Sequence, residues 1–193
     1  VAALVSSMGQ VAVAQNTDEL NIEEVVTVGS RNDEPRSVVD SPVPVDVFSE
    51  AEIAAFGNQA DITDTLKALV PSYTATPATG DGSAFIRPTS LRGMASDQTL
   101  ILVNGKRRHR SALVQFFAPA AGNGAHGVDV GMIPSIALKN IQVLRDGAAA
   151  QYGSDAIAGV MDFQLKDASE GSQVQVQYGE FFEGEQSVKV SSN

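Results

Sequence analysis

The chain has 193 residues, no cysteine and a formal net charge of −10, and its 43% hydrophobic and 19% charged residues are enough to bury one ordinary core. The lack of cysteine excludes disulfides, thiolate metal sites and a thiol nucleophile, and the two histidines, His109 and His126, leave little for a zinc or triad site. No apolar run reaches the roughly 18 residues of a membrane-spanning helix, although the weaker signal of a membrane β-barrel strand is not excluded.

The charge is uneven. Residues 1–64 carry 12 acidic and 2 basic side chains (net −10), residues 65–168 carry 7 and 10 (net +3), and residues 169–193 carry 4 and 1 (net −3). Segments with different tasks are expected, and the overall acidity argues against a nucleic-acid partner.

Residues 1–14, VAALVSSMGQVAVA, are uncharged and close on Ala12-Val13-Ala14. They read as the back half of an export signal, an apolar terminal helix or strand being the alternative. Residues 15–41 are acidic and polar around one β-branched island, Glu23 to Gly29 (EEVVTVG). No hairpin signal lies beside it, so it is either a strand offered to another protein's sheet edge or the first strand of this domain.

From Pro42 the pattern becomes globular. Val43, Val45 and Val47 alternate as an edge strand, and Ser49-Glu50-Ala51-Glu52 is a capping box opening a helix that runs to Phe56 and stops at Gly57. A second helix begins at Asp61 and carries Ile62, Leu66 and Leu69 on one face before Pro71; residues 72–84 are read as loop. Thr99 to Val103 is a buried-strand run, and Asn104-Gly105 a hairpin turn leading into the basic arm Lys106 to Arg110. Residues 116–131 are a flexible small-residue loop, Ile133 to Leu138 a helical turn, Asn140 to Leu144 a strand, Arg145-Asp146-Gly147 a turn, and Gly159 to Lys166 the last strand of the unit. In residues 172–191, Val174, Val176 and Tyr178, then Val188 and Val190, alternate with polar residues. That pattern suits a soluble hairpin or the lipid-out, lumen-in code of a barrel.

No catalytic constellation emerges, and neither a cofactor nor a metal is expected. Gly122 to Gly127 (GNGAHG) spells G-x-G-x-x-G but lacks the strand before and the helix after that a dinucleotide needs. Ser154-Asp155 has no nucleophile elbow around it. The basic run has no interleaved aromatics for base stacking and reads as an internally paired or solvated hairpin arm.

Five separated motifs then converge. The chain resembles the N-terminal plug domain of TonB-dependent outer-membrane receptors. Glu23 to Arg31 (EEVVTVGSR) is similar to a TonB box, Asp64 to Ser72 to the family's helix-proline turn, Leu91-Arg92-Gly93-Met94 to its Arg-Gly strand, and Leu100 to Arg107 to its central hairpin. The longest motif runs from Ile133 to Phe163. The chain departs from the family pattern at Lys139-Asn140-Ile141-Gln142, where an acidic residue and a Glu-Arg or Asp-Arg step are usual, and at Met161-Asp162-Phe163.

The resemblance implies an α+β fold: a small mixed-sheet plug domain with short helices, followed by the first antiparallel hairpin of a transmembrane β-barrel. The expected division is a signal remnant at 1–14, a flexible periplasmic arm with the TonB box at 15–41, the plug at 42–167, and the first barrel strands at 168–193, the front of a larger protein. In the family the plug sits inside a barrel of about 22 strands. Ligand binds on the outer face, and TonB, driven by the inner-membrane proton gradient, pulls on the box.

For this chain the resemblance implies active uptake of a scarce ligand, a ferric siderophore or similar, and no enzymatic activity. Glu23, Glu24, Val25, Val26, Thr27 and Val28 would bind the periplasmic domain of TonB, and Arg92 and Arg145 would pair with barrel carboxylates. Phe85, Arg87, Phe116, Phe117 and His126 are the candidate ligand contacts. The remaining partners are the barrel itself, an extracellular small ligand and, through the barrel, outer-membrane lipid. The alternative is a stand-alone periplasmic binding or signalling module with a plug fold and no barrel.

Overall fold

The computed structural model describes residues 25–26, 28, 36–37, 43–55, 62–75, 82–116, 122–146, 148–167, 174–180 and 186–192. The expected export segment at 1–14, the helix end at Phe56 and Gly57, the helix start at Asp61, and Gly147 of the Arg-Asp-Gly turn lie outside the described residues.

Two short strands come first. β1 (Val25–Val26) pairs antiparallel with β2 (Arg36–Ser37), Val25 opposite Ser37 and Val26 opposite Arg36. The sequence shows no hairpin signal beside the island, because a two-residue strand such as Arg-Ser carries no periodicity to detect.

β3 (Val45–Ser49) leads directly into α1 (Glu50–Ala55). The capping box forms as expected: the Glu52 amide donates to Ser49 Oγ at 3.3 Å, and Glu52 Oε2 accepts from the Ser49 amide at 2.8 Å. α2 (Ile62–Leu69) buries Ile62 and Leu66 and leaves Leu69 partly covered, and the Val70 amide closes its last turn on Leu66 O at 2.8 Å before Pro71. The segment read as loop contains β4 (Tyr73–Ala75) and the start of α3 (Ser83–Ile86); β4 pairs with β5 (Thr89–Leu91). Its signal, buried Tyr73 and Ala75 around exposed Thr74, is too short to register as alternation. The Leu91-Arg92-Gly93-Met94 motif is a strand only to Leu91, since Arg92 and Gly93 turn with φ of 56° and 67°.

β6 (Thr99–Val103) and β7 (Lys106–Arg107) form the central hairpin. Asn104 and Gly105 have φ of 49° and 74°, the left-handed pair that a two-residue hairpin turn of matching twist requires. After a 3₁₀ turn at Ser135–Ala137 come β8 (Leu138–Leu144), α4 (Ala149–Tyr152) and β9 (Gly159–Leu165). These strands make one mixed sheet in the order β3-β8-β9-β6-β7, parallel only between β6 and β9.

Alternation divides the sheet into two faces. One carries Ile101, Ile141, Val143, Met161 and Phe163 against Ile53, Ile62, Leu66, Tyr73 and Leu91 from the helices and the β4–β5 ribbon. Phe163, Leu66 and Ile141 are fully buried there, and each contributes about 1.5–3 kcal/mol. The opposite face carries Val45, Leu100, Leu102, Leu144 and Val160 under Ala148, Ala156 and Val28. At the start of β9, Gly159 has φ of 144°, and a Cβ there would stand 2.5 Å from Leu144 O and 2.9 Å from Leu91 Cδ1. Only glycine allows the strand to enter at that point.

A separate antiparallel ribbon, β10 (Val174–Glu180) with β11 (Gln186–Ser192), follows the sheet. Val176 stands opposite Val190 and Tyr178 opposite Val188, so the alternating apolar residues share one face.

Candidate functional site

Val28 sits at the front of the molecule, two residues beyond β1. It is 1% exposed and packs with Val45, Leu100, Leu102, Leu144 and Val160 on the second face of the sheet. Its amide donates to Gln142 Oε1 in β8 at 3.2 Å. β1 belongs to a two-stranded sheet, so one of its edges faces β2 and the other has no strand beside it among the described residues. Of the predicted TonB-box positions, Glu23, Glu24 and Thr27 lie outside the described residues.

The arginines predicted to meet a barrel have partners inside the domain. Arg145, just past β8, holds Asp46 of β3 with Nε–Oδ2 at 2.6 Å and Nη2–Oδ1 at 2.7 Å. Arg92 donates from Nη1 to Arg145 O and from Nη2 to Ile157 O, both at 3.3 Å, and lies 4.0 Å from Asp146. It therefore joins the turn after β5 to the two ends of the β8–β9 connection. Both arginine side chains stay about half exposed, at 43% and 50%.

The basic arm is internally paired, one of the two readings of the sequence. Arg107 Nη1 meets Asp155 Oδ2 at 2.7 Å and Arg110 Nη2 meets Asp155 Oδ1 at 3.4 Å, while Arg107 Nη2 also donates to Tyr152 O. Arg107, Arg110 and Asp155 line, with Arg108, His109 and His126, a cleft of about 240 Å³. Asp155 thus serves an ion pair, and Ser154 Oγ lies 3.4 Å from its Oδ1. Among the described residues no three His, Asp or Glu side chains are grouped to hold a metal.

The predicted ligand contacts divide into two kinds. Phe85, in α3, and Phe116 are 88% and 70% exposed, and Leu113 approaches Gly82 at the start of α3. Arg87 is drawn inward to Asp64 at 3.3 Å, and His126 Nε2 contacts Ser111 O. Phe117 lies outside the described residues. Burial pushes the Asp64 carboxyl up, but the hydrogen bond and charge of Lys67, then Arg87, outweigh it and hold the group below its ordinary value.

The loop containing Gly122 to Gly127 is pinned rather than flexible where it is described. Ser111 and Gln115 amides donate to Gly127 O and Ala125 O at 3.0 Å, and Ser96 Oγ donates to Gln115 Oε1 at 2.7 Å. Residues 125–130 continue without helix.

Sequence reasoning missed Gln142 and Asp162 as site residues. Their signal was present, two polar side chains at the departures from the family pattern, each next to large apolar residues in its strand and both 1% exposed.

The sequence model of the TonB-dependent Receptor Plug Domain matches residues 37–160. The chain belongs to this family. The plug is 31% identical over 152 residues to the iron-regulated outer membrane virulence protein of Vibrio cholerae, covering 78% of this chain and 21% of that protein. It is 32% identical over 147 residues to the vitamin B12 transporter BtuB of Vibrio vulnificus, covering 76% and 21%. Among solved structures it superposes on a ferric enterobactin receptor (PfeA) mutant from Pseudomonas aeruginosa with a TM-score of 0.60 at 25% identity, covering 78% of this chain and 22% of that one. The siderophore receptor PirA from Acinetobacter baumannii gives 0.55 at 26%, covering 77% and 21%. The mixed α+β architecture is that of the plug in such receptors, and the chain spans about one fifth of the length of these relatives. The match opens in β2 and closes early in β9, so β1 and Val28 precede it and the β10–β11 ribbon follows it.

Proposed function

We propose that this plug gates an outer-membrane receptor that takes up a scarce ligand, a ferric siderophore or similar, energised through TonB and the proton gradient. The observation that carries this reading is the ribbon after the plug. Val174, Val176, Tyr178, Val188 and Val190 are each 59–66% exposed and share one face. A free-standing periplasmic module would present that apolar row to water, whereas a barrel presents it to lipid.

In this reading residues 1–14 are an export signal, residues 15–41 a periplasmic arm, residues 42–167 the plug, and residues 168–193 the entry into the barrel wall. The names of the relatives, an iron-regulated outer membrane protein, a vitamin B12 transporter and siderophore receptors, support the uptake class. TonB would add a strand to the edge of β1 that faces away from β2, using main-chain hydrogen bonds that depend little on side chains. Phe85 and Phe116 would face the ligand, and the half-exposed Arg92 and Arg145 would meet barrel carboxylates with the donors their internal partners leave over.

Uptake of labelled ferric siderophores and cobalamin by cells expressing the full-length receptor tests the reading. Accumulation that disappears in a strain lacking TonB is expected. Accumulation of the same size without TonB would contradict it.

A further inference from the structure

We propose that the cleft beside β7 is a binding site for a carboxylate group, and that Asp155 holds the place of the ligand until one arrives. Neither Phe85 nor Phe116 lines this cleft, and its chemistry does not depend on the transport reading.

The topology assembles the cleft. β7 closes one edge of the five-stranded sheet, and the Arg108 amide extends its pairing with β6 by one bond, to Ile101 O at 3.0 Å. The arm from Arg107 to Arg110 therefore runs back along β6 toward Ser96 and Asp97, which precede that strand. β9 lies parallel to β6 and begins at the same end, Gly159 opposite Thr99, which brings the 3₁₀ turn Ser154–Ala156 beside the arm. Three guanidinium groups, Arg107, Arg108 and Arg110, thus share one cleft with two carboxylates, Asp97 and Asp155.

Asp155 shows what the cleft accepts. One of its oxygens meets Arg107 at 2.7 Å and the other meets Arg110 at 3.4 Å. The two arginine side chains are 49% and 46% exposed. A pair that open to water favours the closed state by a factor of about five at most. An incoming carboxylate can therefore take the place of Asp155 at small cost, and the freed aspartate is left in solvent rather than buried.

Arg108 supplies the attraction. It is half-buried, and among the described residues its guanidinium meets no acceptor. Asp97 lines the same cleft without joining an ion pair among the described residues. A guanidinium is a planar fork of donors that matches the two oxygens of a carboxylate. The volume and lining set the class of ligand. About 240 Å³ is less than the roughly 300–1,000 Å³ that encloses a whole drug-sized molecule, so the cleft takes a small acid or one arm of a larger one. Leu100, Ile101 and Val128 also line it, and they suit a carboxylate carried on a short carbon chain better than a fully hydrated phosphate.

Calorimetric titration of the detergent-solubilised full-length receptor with glutarate tests the site. The native receptor should bind glutarate, should not bind its uncharged dimethyl ester, and should bind inorganic phosphate at least about tenfold more weakly. Arg108→Gln should weaken glutarate binding at least about tenfold, whereas Lys139→Gln, which removes the same charge from exposed Lys139 in β8, should leave it unchanged. Asp155→Asn removes the competing carboxylate and should tighten binding about threefold. A damaged fold cannot tighten binding, so this variant separates loss of the site from loss of structure. No binding of glutarate to the native receptor, as where a barrel carboxylate fills the cleft, would overturn the proposal. So would phosphate binding as tight as glutarate, equal weakening in Arg108→Gln and Lys139→Gln, or unchanged or weaker binding in Asp155→Asn. The titration needs neither TonB nor uptake, so failure of the transport reading leaves its result standing.

Discussion

The guanidinium of Arg145 and the carboxylate of Asp46 meet through two contacts, Nε–Oδ2 at 2.6 Å and Nη2–Oδ1 at 2.7 Å, although 99 residues separate them. The β3–β8 register places Val45 opposite Leu144 and so brings the next residues within reach. A two-point pair fixes orientation as well as distance. It fastens the edge strand β3 to the turn after β8.

Arg145→Ala is expected to loosen the plug by about 1 kcal/mol, the scale of a well-formed but half-exposed pair. Antibiotic permeability of cells carrying the full-length receptor reads the effect, and Asp46→Ala should raise it too, by no more than Arg145→Ala, with the double variant no leakier than Arg145→Ala. A leak in Arg145→Ala with Asp46→Ala silent would show that the partner that matters lies in the barrel.

Gly159 yields a sharper contrast. Gly159→Ala would place its Cβ 2.5 Å from Leu144 O at a φ of 144° and should destabilise the plug by about 3 kcal/mol or more. Gly124→Ala, at φ of 82° with nothing within 4 Å, should cost about 1 kcal/mol. Denaturant midpoints of the two variants compare them, and equal shifts would contradict the close approach.

The capping box makes stability depend on acid pH. The hydrogen bonds from the Ser49 amide, then the Ser49 hydroxyl, hold the Glu52 carboxyl below its ordinary value despite slight desolvation. A depressed carboxyl contributes stability above its unfolded pKa, and that contribution is lost as the pH falls through its folded value. Ser49→Ala should therefore lower the denaturant midpoint near neutrality, by about 1 kcal/mol in stability. The difference from the native chain should shrink in the acid range where Glu52 protonates. A difference that is constant from neutral to acid pH would show that the bond from the Ser49 hydroxyl to Glu52 contributes nothing.

Much of the sheet was legible in the sequence because its signals are local. The Ile62, Leu66, Leu69 spacing, the Asn104-Gly105 turn and the apolar run of β6 each fall within one short window. β2, β4 and β5 were hidden because two or three residues cannot display a period. Gln142 and Asp162 were visible only as polar interruptions, since their partners are the amides of Val28 and Gly105, 114 and 57 residues away. Arg92 and Arg145 were recognisable as motif residues, but their carbonyl and carboxylate partners within the plug depend on which strands become neighbours, which no single-sequence window contains.

The central claim is that TonB adds a strand to β1. Capture of the full-length receptor by the purified periplasmic domain of TonB tests it most directly, comparing the native chain with Val26→Pro, which removes a main-chain donor and distorts the edge. The account predicts capture of the native receptor and loss of capture in Val26→Pro, with the plug still resistant to antibiotic leak. Equal capture of both would contradict strand addition at β1.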